Sequence, residues 1–180
     1  MSFANEEDLY AIVENLMKNL FKKLLNKDIK TPFLRIKHKD AMEKYGSDKP
    51  DLRFGLEFID ITDIGKKSEF MIFKNAGKIK CINVENSKFS RNEIDNLIEF
   101  AIKEGANGLA WIKYDGKKLE SSIVKFFNDK LQKELIKRIN AKKDSLLLFI
   151  ADDENKVNEF LGKIRIEVAK RMNLSKDEFK

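Results

Sequence analysis

The ten residues from Tyr45 to Phe54, YGSDKPDLRF, hold more side-chain chemistry than any other stretch of the chain. They bring together one aliphatic hydroxyl (Ser47), two carboxylates (Asp48 and Asp51) and two cations (Lys49 and Arg53), with Gly46 and Pro50 to shape the backbone. Pro50 fixes its own φ and pushes Lys49 into extended backbone, while Ser47 and Asp48 can accept from main-chain amides in a tight turn. Two readings stay open on the residues alone. The stretch is a rigid structural turn, or it is a polar loop at the lip of a site that offers Ser47, Asp48, Lys49, Asp51 and Arg53.

Elsewhere the chemistry is thinner. The eight glycines form neither a GxGxxG nor a GxxxxGK phosphate loop. His38 is the only histidine, so a Ser-His-Asp relay or an ordinary zinc site would have no spare parts; flanked by Lys37 and Lys39, it reads as a surface residue of a strand. Cys81 is the only cysteine, which excludes an internal disulfide and fits a small buried residue on a strand. Asp152, Asp153 and Glu154 read as acids that favour a helix N-terminus, and Asp60 and Asp63 as turn and cap residues. Trp111 sits in a strand pattern and reads as core packing. On this basis no residue is assigned a catalytic, cofactor-binding or metal-ligating role.

Elements to position such residues follow from spacing. Asn5 and Asp8 make a helix cap, and Leu9, Ile12, Val13, Leu16, Leu20 and Leu24 then recur at helical spacing to about residue 25. A short helix from Asp40 to Lys44 stops at Gly46. Strands are expected at 56–58, 69–73, 78–84, 108–114 and 145–151, the last buried because both its faces are apolar. Ser90 with Glu93 caps a helix that ends at Gly105; another spans 122–139 with a break near Asn128, and a last one starts near Asp152. The fold class is therefore α/β (α+β): a layered sheet covered by helices.

Composition bounds the partners. The net charge of +6 comes from 36 cations, of which only six are arginine, spread among 30 acids. Scattered lysine without a phosphate cradle is an ordinary solvated surface, and any RNA contact through it would be weak and salt-sensitive. No apolar run is long enough for a membrane helix, and the acids Glu6, Glu7 and Asp8 stand where a targeting peptide would carry bases. A cytoplasmic location is expected.

Residues Pro32 to Asp63, PFLRIKHKDAMEKYGSDKPDLRFGLEFIDITD, resemble the corresponding segment of bacterial-type aspartyl-tRNA synthetases of class II. The likeness continues through MSFANEEDLY upstream, GLAWIKY and SSIVKF in the middle, and LLLFIADDENKVNEFLGKIR downstream. His38 departs from it, standing where the family usually has tyrosine. The resemblance implies an internal piece of such an enzyme: a catalytic-domain segment (1–51, helix and SDKPD turn), the GAD insertion domain (52–150), and a C-terminal helix returning toward the catalytic domain (151–180). Met1–Phe3 would then end a strand of the catalytic domain. The family's arginine-containing motif 2 and its motif 3 match no position here, so the resemblance carries over no catalytic residue. It implies ATP and magnesium, a tRNA partner and a homodimer for the longer enzyme, and no adenylate formation by this piece alone. Two other readings are a GAD insertion of a glutamyl-tRNA amidotransferase B subunit and a stand-alone structural or RNA-binding module.

Overall fold

A computed structural model describes residues 5–175 of the 180; the expected strand end at Met1–Phe3 lies outside them. The chain divides into two compact units, Met1–Lys37 and His38–Glu178. In the first, α1 (Glu6–Leu25) opens with the expected reciprocal cap: Asp8 N donates to Asn5 Oδ1 (2.9 Å) and Asn5 N to Asp8 Oδ2 (3.0 Å). The segment after it turns back along the helix. Arg35 pairs with Glu7 at 2.7 Å and stacks over Tyr10, and Phe33 N donates to Glu14. No residue of α1 is buried, and its apolar stripe is open, with Leu24 75% exposed.

In the second unit α2 (His38–Tyr45) ends where Gly46 takes φ +68°. Five antiparallel strands follow: β1 (Phe58–Asp60), β2 (Lys78–Val84), β3 (Ala110–Tyr114), β4 (Leu119–Glu120) and β5 (Ser145–Asp152), side by side in the order β1-β2-β5-β3-β4. Between them lie α3 (Thr62–Gly65), α4 (Met71–Asn75), α5 (Arg91–Lys103), a 3-10 turn at Val124–Phe126, and α6 (Asp129–Ile139); α7 (Glu154–Arg171) comes last. The β2–α5–β3 passage skips one position, and β5 fills it, antiparallel to both neighbours. Alternation along β5 explains the two cores. Leu146, Leu148 and Ile150 face α5 and α7 together with Ile82 and Val84; Leu147 and Phe149 face α4 and α6 together with Ile79 and Cys81. Each such aliphatic side chain contributes about 1.5–3 kcal/mol of burial. The structure is thus a sheet between two helical layers, as the pattern predicts.

Three local expectations differ. Residues 69–73, expected as a strand, enter α4: Phe70 and Phe73, three apart, form an edge-on aromatic pair, while Met71 and Ile72 between them point outward, 60% and 62% exposed. The strand expected at 56–58 begins only at Phe58, because Leu56 has φ +56°. His38 opens a helix, not a strand, because the apolar positions Ala41 and Tyr45 repeat at four residues, a helical period. The remaining elements stand close to where spacing places them. Ser90 and Glu93 form the reciprocal cap of α5, and Asn128 caps α6 at the expected break.

Candidate functional site: a polar turn held by its backbone

The polar turn lies between α2 and β1, and its side chains mostly serve its own shape. Ser47 Oγ accepts from Lys49 N (3.1 Å). Asp51 accepts from Arg53 three ways: from its amide (3.0 Å), from Nε, and from Nη2 at 2.6 Å. The Arg53 guanidinium holds the Asp51 carboxyl below the usual carboxylate range, with burial acting against it. Asp48 and Lys49 are exposed. Of the five candidate residues, the structure therefore joins Asp51 to Arg53, ties Ser47 into the backbone turn, and leaves Asp48 and Lys49 in solvent.

What fixes the turn comes from α7. Arg165, 2% exposed, donates through Nε to the carbonyls of Gly55 (3.0 Å) and Leu56 (3.2 Å), and through Nη2 to those of Asp51 and Gly55. Its plane lies over the rings of Phe54 (4.3 Å) and Tyr45 (4.9 Å). Burial pushes the guanidinium below its ordinary value, offset in part by Tyr45, Asp51 and Glu57 nearby. A planar fork with several donors can gather three carbonyls that point to one place, which a single ammonium cannot do. The positive φ of Gly55 (+61°) and Leu56 (+56°) is the conformation that delivers those carbonyls.

One turn earlier on α7, the helix and the turn touch through glycine. A Cβ on Gly162 would stand 3.1 Å from the Gly46 carbonyl oxygen and 3.3 Å from that of Tyr45; a Cβ on Gly46 would reach within 2.0 Å of the Asn158 carbonyl oxygen. Another turn earlier, Asn158 Oδ1 accepts from the ammonium of Lys80 (2.8 Å), which also donates to the Glu43 carbonyl (2.9 Å) and carboxylate (3.2 Å). Lys80 is 2% exposed, and three acceptors satisfy its buried amino group. Neither Lys80 nor Arg165 stood out in the sequence. The available signal was register: Lys80 alternates with Ile82 and Val84 on one strand face, and Arg165 shares a helix face with Leu161 and Val168.

A cleft of about 560 Å³ opens beside this crossing, lined by His38, Lys39, Glu43, Glu154, Asn158 and Glu159 among others. Its three glutamates oppose a polyphosphate, and among the described residues no three acids, histidines or cysteines are placed to hold a metal ion. The residues lining this cleft do not fit ATP with magnesium. Asp152, Asp153 and Glu154 behave as helix-end acids: Asp152 accepts from the Asp153 amide and from Lys156 and Asn107. Asp60 accepts from the Thr62 amide and hydroxyl, a turn bond, and Asp63 pairs with Arg138. Cys81 is buried, and desolvation raises its thiol well above the ordinary range. Trp111 is buried in the core beside α5. Among the described residues no helix is long and apolar enough to cross a membrane.

Comparison with known proteins matches this sequence to a family. Over 178 residues, 97% of the chain, it is 47% identical to the aspartate–tRNA(Asp/Asn) ligase of Aquifex aeolicus, covering 30% of that protein. It is 44% identical to the ligase of the same name from Hydrogenobaculum over 97% of the chain and 30% of the relative. It is 42% identical to the aspartate–tRNA ligase of Clostridium novyi over 98% of the chain and 31% of the relative. The chain thus spans about 30% of the length of these relatives. The family model described as the GAD domain matches residues 71–161, just over half of the sequence and the stretch that runs from α4 through β2, β3, β4 and β5 into α7; the chain belongs to the GAD domain family.

Proposed function

We propose that this chain serves as the GAD-bearing part of an aspartate–tRNA ligase, an enzyme that joins aspartate to tRNA through an ATP-derived aspartyl-adenylate. The observation that carries the reading is identity of 41–47% along nearly the whole chain to ligases of that name, including the stretch before the GAD match. In this reading ATP, magnesium and tRNA are bound by other parts of a longer, homodimeric and cytoplasmic enzyme. Residues 1–51 belong in ancestry to its catalytic domain, 52–150 are the insertion, and 151–180 return toward the catalytic domain. Ser47, Asp48, Lys49, Asp51 and Arg53 form the junction loop. Division by ancestry need not coincide with folding units, since α7 packs on the sheet that the insertion supplies.

A chimaera tests this. The corresponding residues of the Clostridium novyi ligase are replaced by this chain, and aspartylation of tRNA is measured. Retained activity is expected, together with no aspartate-dependent ATP–pyrophosphate exchange by the 180-residue chain alone. A folded chimaera with no aspartylation, or exchange by the isolated chain, would refute the assignment.

A further inference from the structure

Among the described residues, β3 runs beyond its pairing with β4 and leaves a position at that edge of the sheet without a strand. β4 pairs with β3 only at Lys113 and Tyr114. Asp115 N donates to Lys118 O across this hairpin, so Asp115 turns its main-chain groups toward β4. In an antiparallel ladder that direction repeats every second residue. Lys113 therefore faces β4 too, and Trp111 presents its N–H and C=O the same way, where the order of the sheet places no strand. Main-chain groups left in this state at a sheet edge are a template for another strand.

The space beside them is shaped for side chains. A cleft of about 450 Å³ runs along Leu109–Trp111, with Phe70 and Ile123 on one side of the strand edge and Ile98 on the other. Its mouth carries exposed Ile72. Among its lining residues Arg91 alone is charged, and no acid lines the cleft. Arg91 lies over the Trp111 ring (4.8 Å) and gives its Nε to Asp95 (3.1 Å). An open pair of backbone groups asks for peptide backbone; apolar walls on both sides of the edge ask for alternating apolar side chains; the terminal nitrogens of Arg91, beyond the Nε given to Asp95, can take a carboxylate.

We propose that the open edge of β3 and its cleft form a binding site for an extended peptide segment, which pairs with Trp111 and carries apolar residues and one acidic residue that meets Arg91. The site lies within the His38–Glu178 unit and does not depend on the ligase reading. Specificity would come from the side-chain pockets and affinity from the main-chain bonds, the usual division in strand addition.

The test uses the full 180-residue chain and a phage-displayed library of random nonapeptides. Enrichment of alternating apolar sequences with an acidic residue is expected, and titration of a selected peptide should shift the amide resonances of residues 109–112. Methylating the peptide nitrogen that pairs with Trp111 should weaken binding about tenfold or more, through loss of one backbone bond and a clash at the edge. Arg91→Glu, an exposed substitution outside the core, should weaken the acidic peptide by about tenfold and improve its lysine-substituted twin. The proposal is overturned by no enrichment, by binding indifferent to backbone methylation or to Arg91→Glu, or by shifts confined to other residues. Sedimentation that shows dimers with residues 109–112 protected at the interface would give the edge to a second copy and overturn it equally.

Discussion

Replacing Arg165 with methionine removes the donor from three carbonyls while keeping most of the buried volume. The Asp51, Gly55 and Leu56 oxygens each lose a partner, at about 1 kcal/mol apiece, the low end of the range for an acceptor left unmade, because these residues are only part-buried or exposed. Loss of the planar contact with Phe54 and Tyr45 adds about 1 kcal/mol. Relief from burying a guanidinium that has no close carboxylate partner works the other way and returns part of this. A net loss of about 3 kcal/mol results when the acceptors sit at the low end of their range. With a urea slope of about 2 kcal/mol/M, the midpoint should fall by about 1.5 M.

Trp111 is the only tryptophan and lies in the His38–Glu178 unit, so its fluorescence reports the relevant transition without interference from α1. Arg165→Lys provides the control. It keeps the charge but has one nitrogen for three carbonyls, and should lose roughly half as much stability as the methionine variant. Hydrogen exchange should show the loss first at amides 53–58. A methionine variant with a midpoint within about 0.3 M of the parent and unchanged exchange at those amides would refute the view that Arg165 holds the turn.

Gly162→Ala should cost about 1 kcal/mol net by urea titration, because its Cβ crowds two backbone oxygens at 3.1 and 3.3 Å and this overpacking outweighs the gain of roughly 1 kcal/mol in helix propensity. For Asp60, burial raises the pKa, but Lys78 and Thr62 more than offset it and leave the folded carboxyl below its ordinary value. Its contribution is therefore present above about pH 4 and is lost as pH falls through the folded value, so Asp60→Asn should flatten the fall in urea midpoint between pH 5 and 3; an unchanged slope would count against the Lys78 contact. Cys81, wholly buried with its thiol pKa raised, should resist iodoacetamide in the native chain and react on unfolding, as read by mass spectrometry.

What spacing reveals and what it hides divide along a physical line. Helix starts at Asn5 and Ser90 were legible because a capping box is a local contract between residues three apart. β5 was legible because an apolar run of that length, free of charge, can only be buried. Residues 69–73 misled because aromatic and β-branched residues suit a strand, while the choice of helix rests on Phe70 meeting Phe126, a contact distant in sequence. Leu56 misled for the same reason: its positive φ answers to Arg165, more than a hundred residues on. Within the polar turn, the Ser47 and Asp51 bonds follow from residue types two apart, but nothing local announces that its backbone is gripped from α7.

That grip decides what the turn's side chains are free to do. Asn158, Gly162 and Arg165 stand at intervals of four and three residues, on one line along α7. In order, they meet Lys80 with Glu43, the backbone of Tyr45 and Gly46, and the backbone of Asp51, Gly55 and Leu56. Apart from stacking on the Phe54 and Tyr45 rings, Gly162 and Arg165 hold this segment through main-chain atoms, which every residue carries. The fold thus makes no demand on Asp48 or Lys49. Their exposed charges should be removable, as Asp48→Ala and Lys49→Ala, within about 0.5 kcal/mol of parental stability. Each substitution can then be carried into the chimaeric ligase. A loss of aspartylation there, with stability intact, would assign the two charges a role at the junction; a clear loss of stability in the isolated chain would show instead that the turn depends on contacts other than the backbone grip.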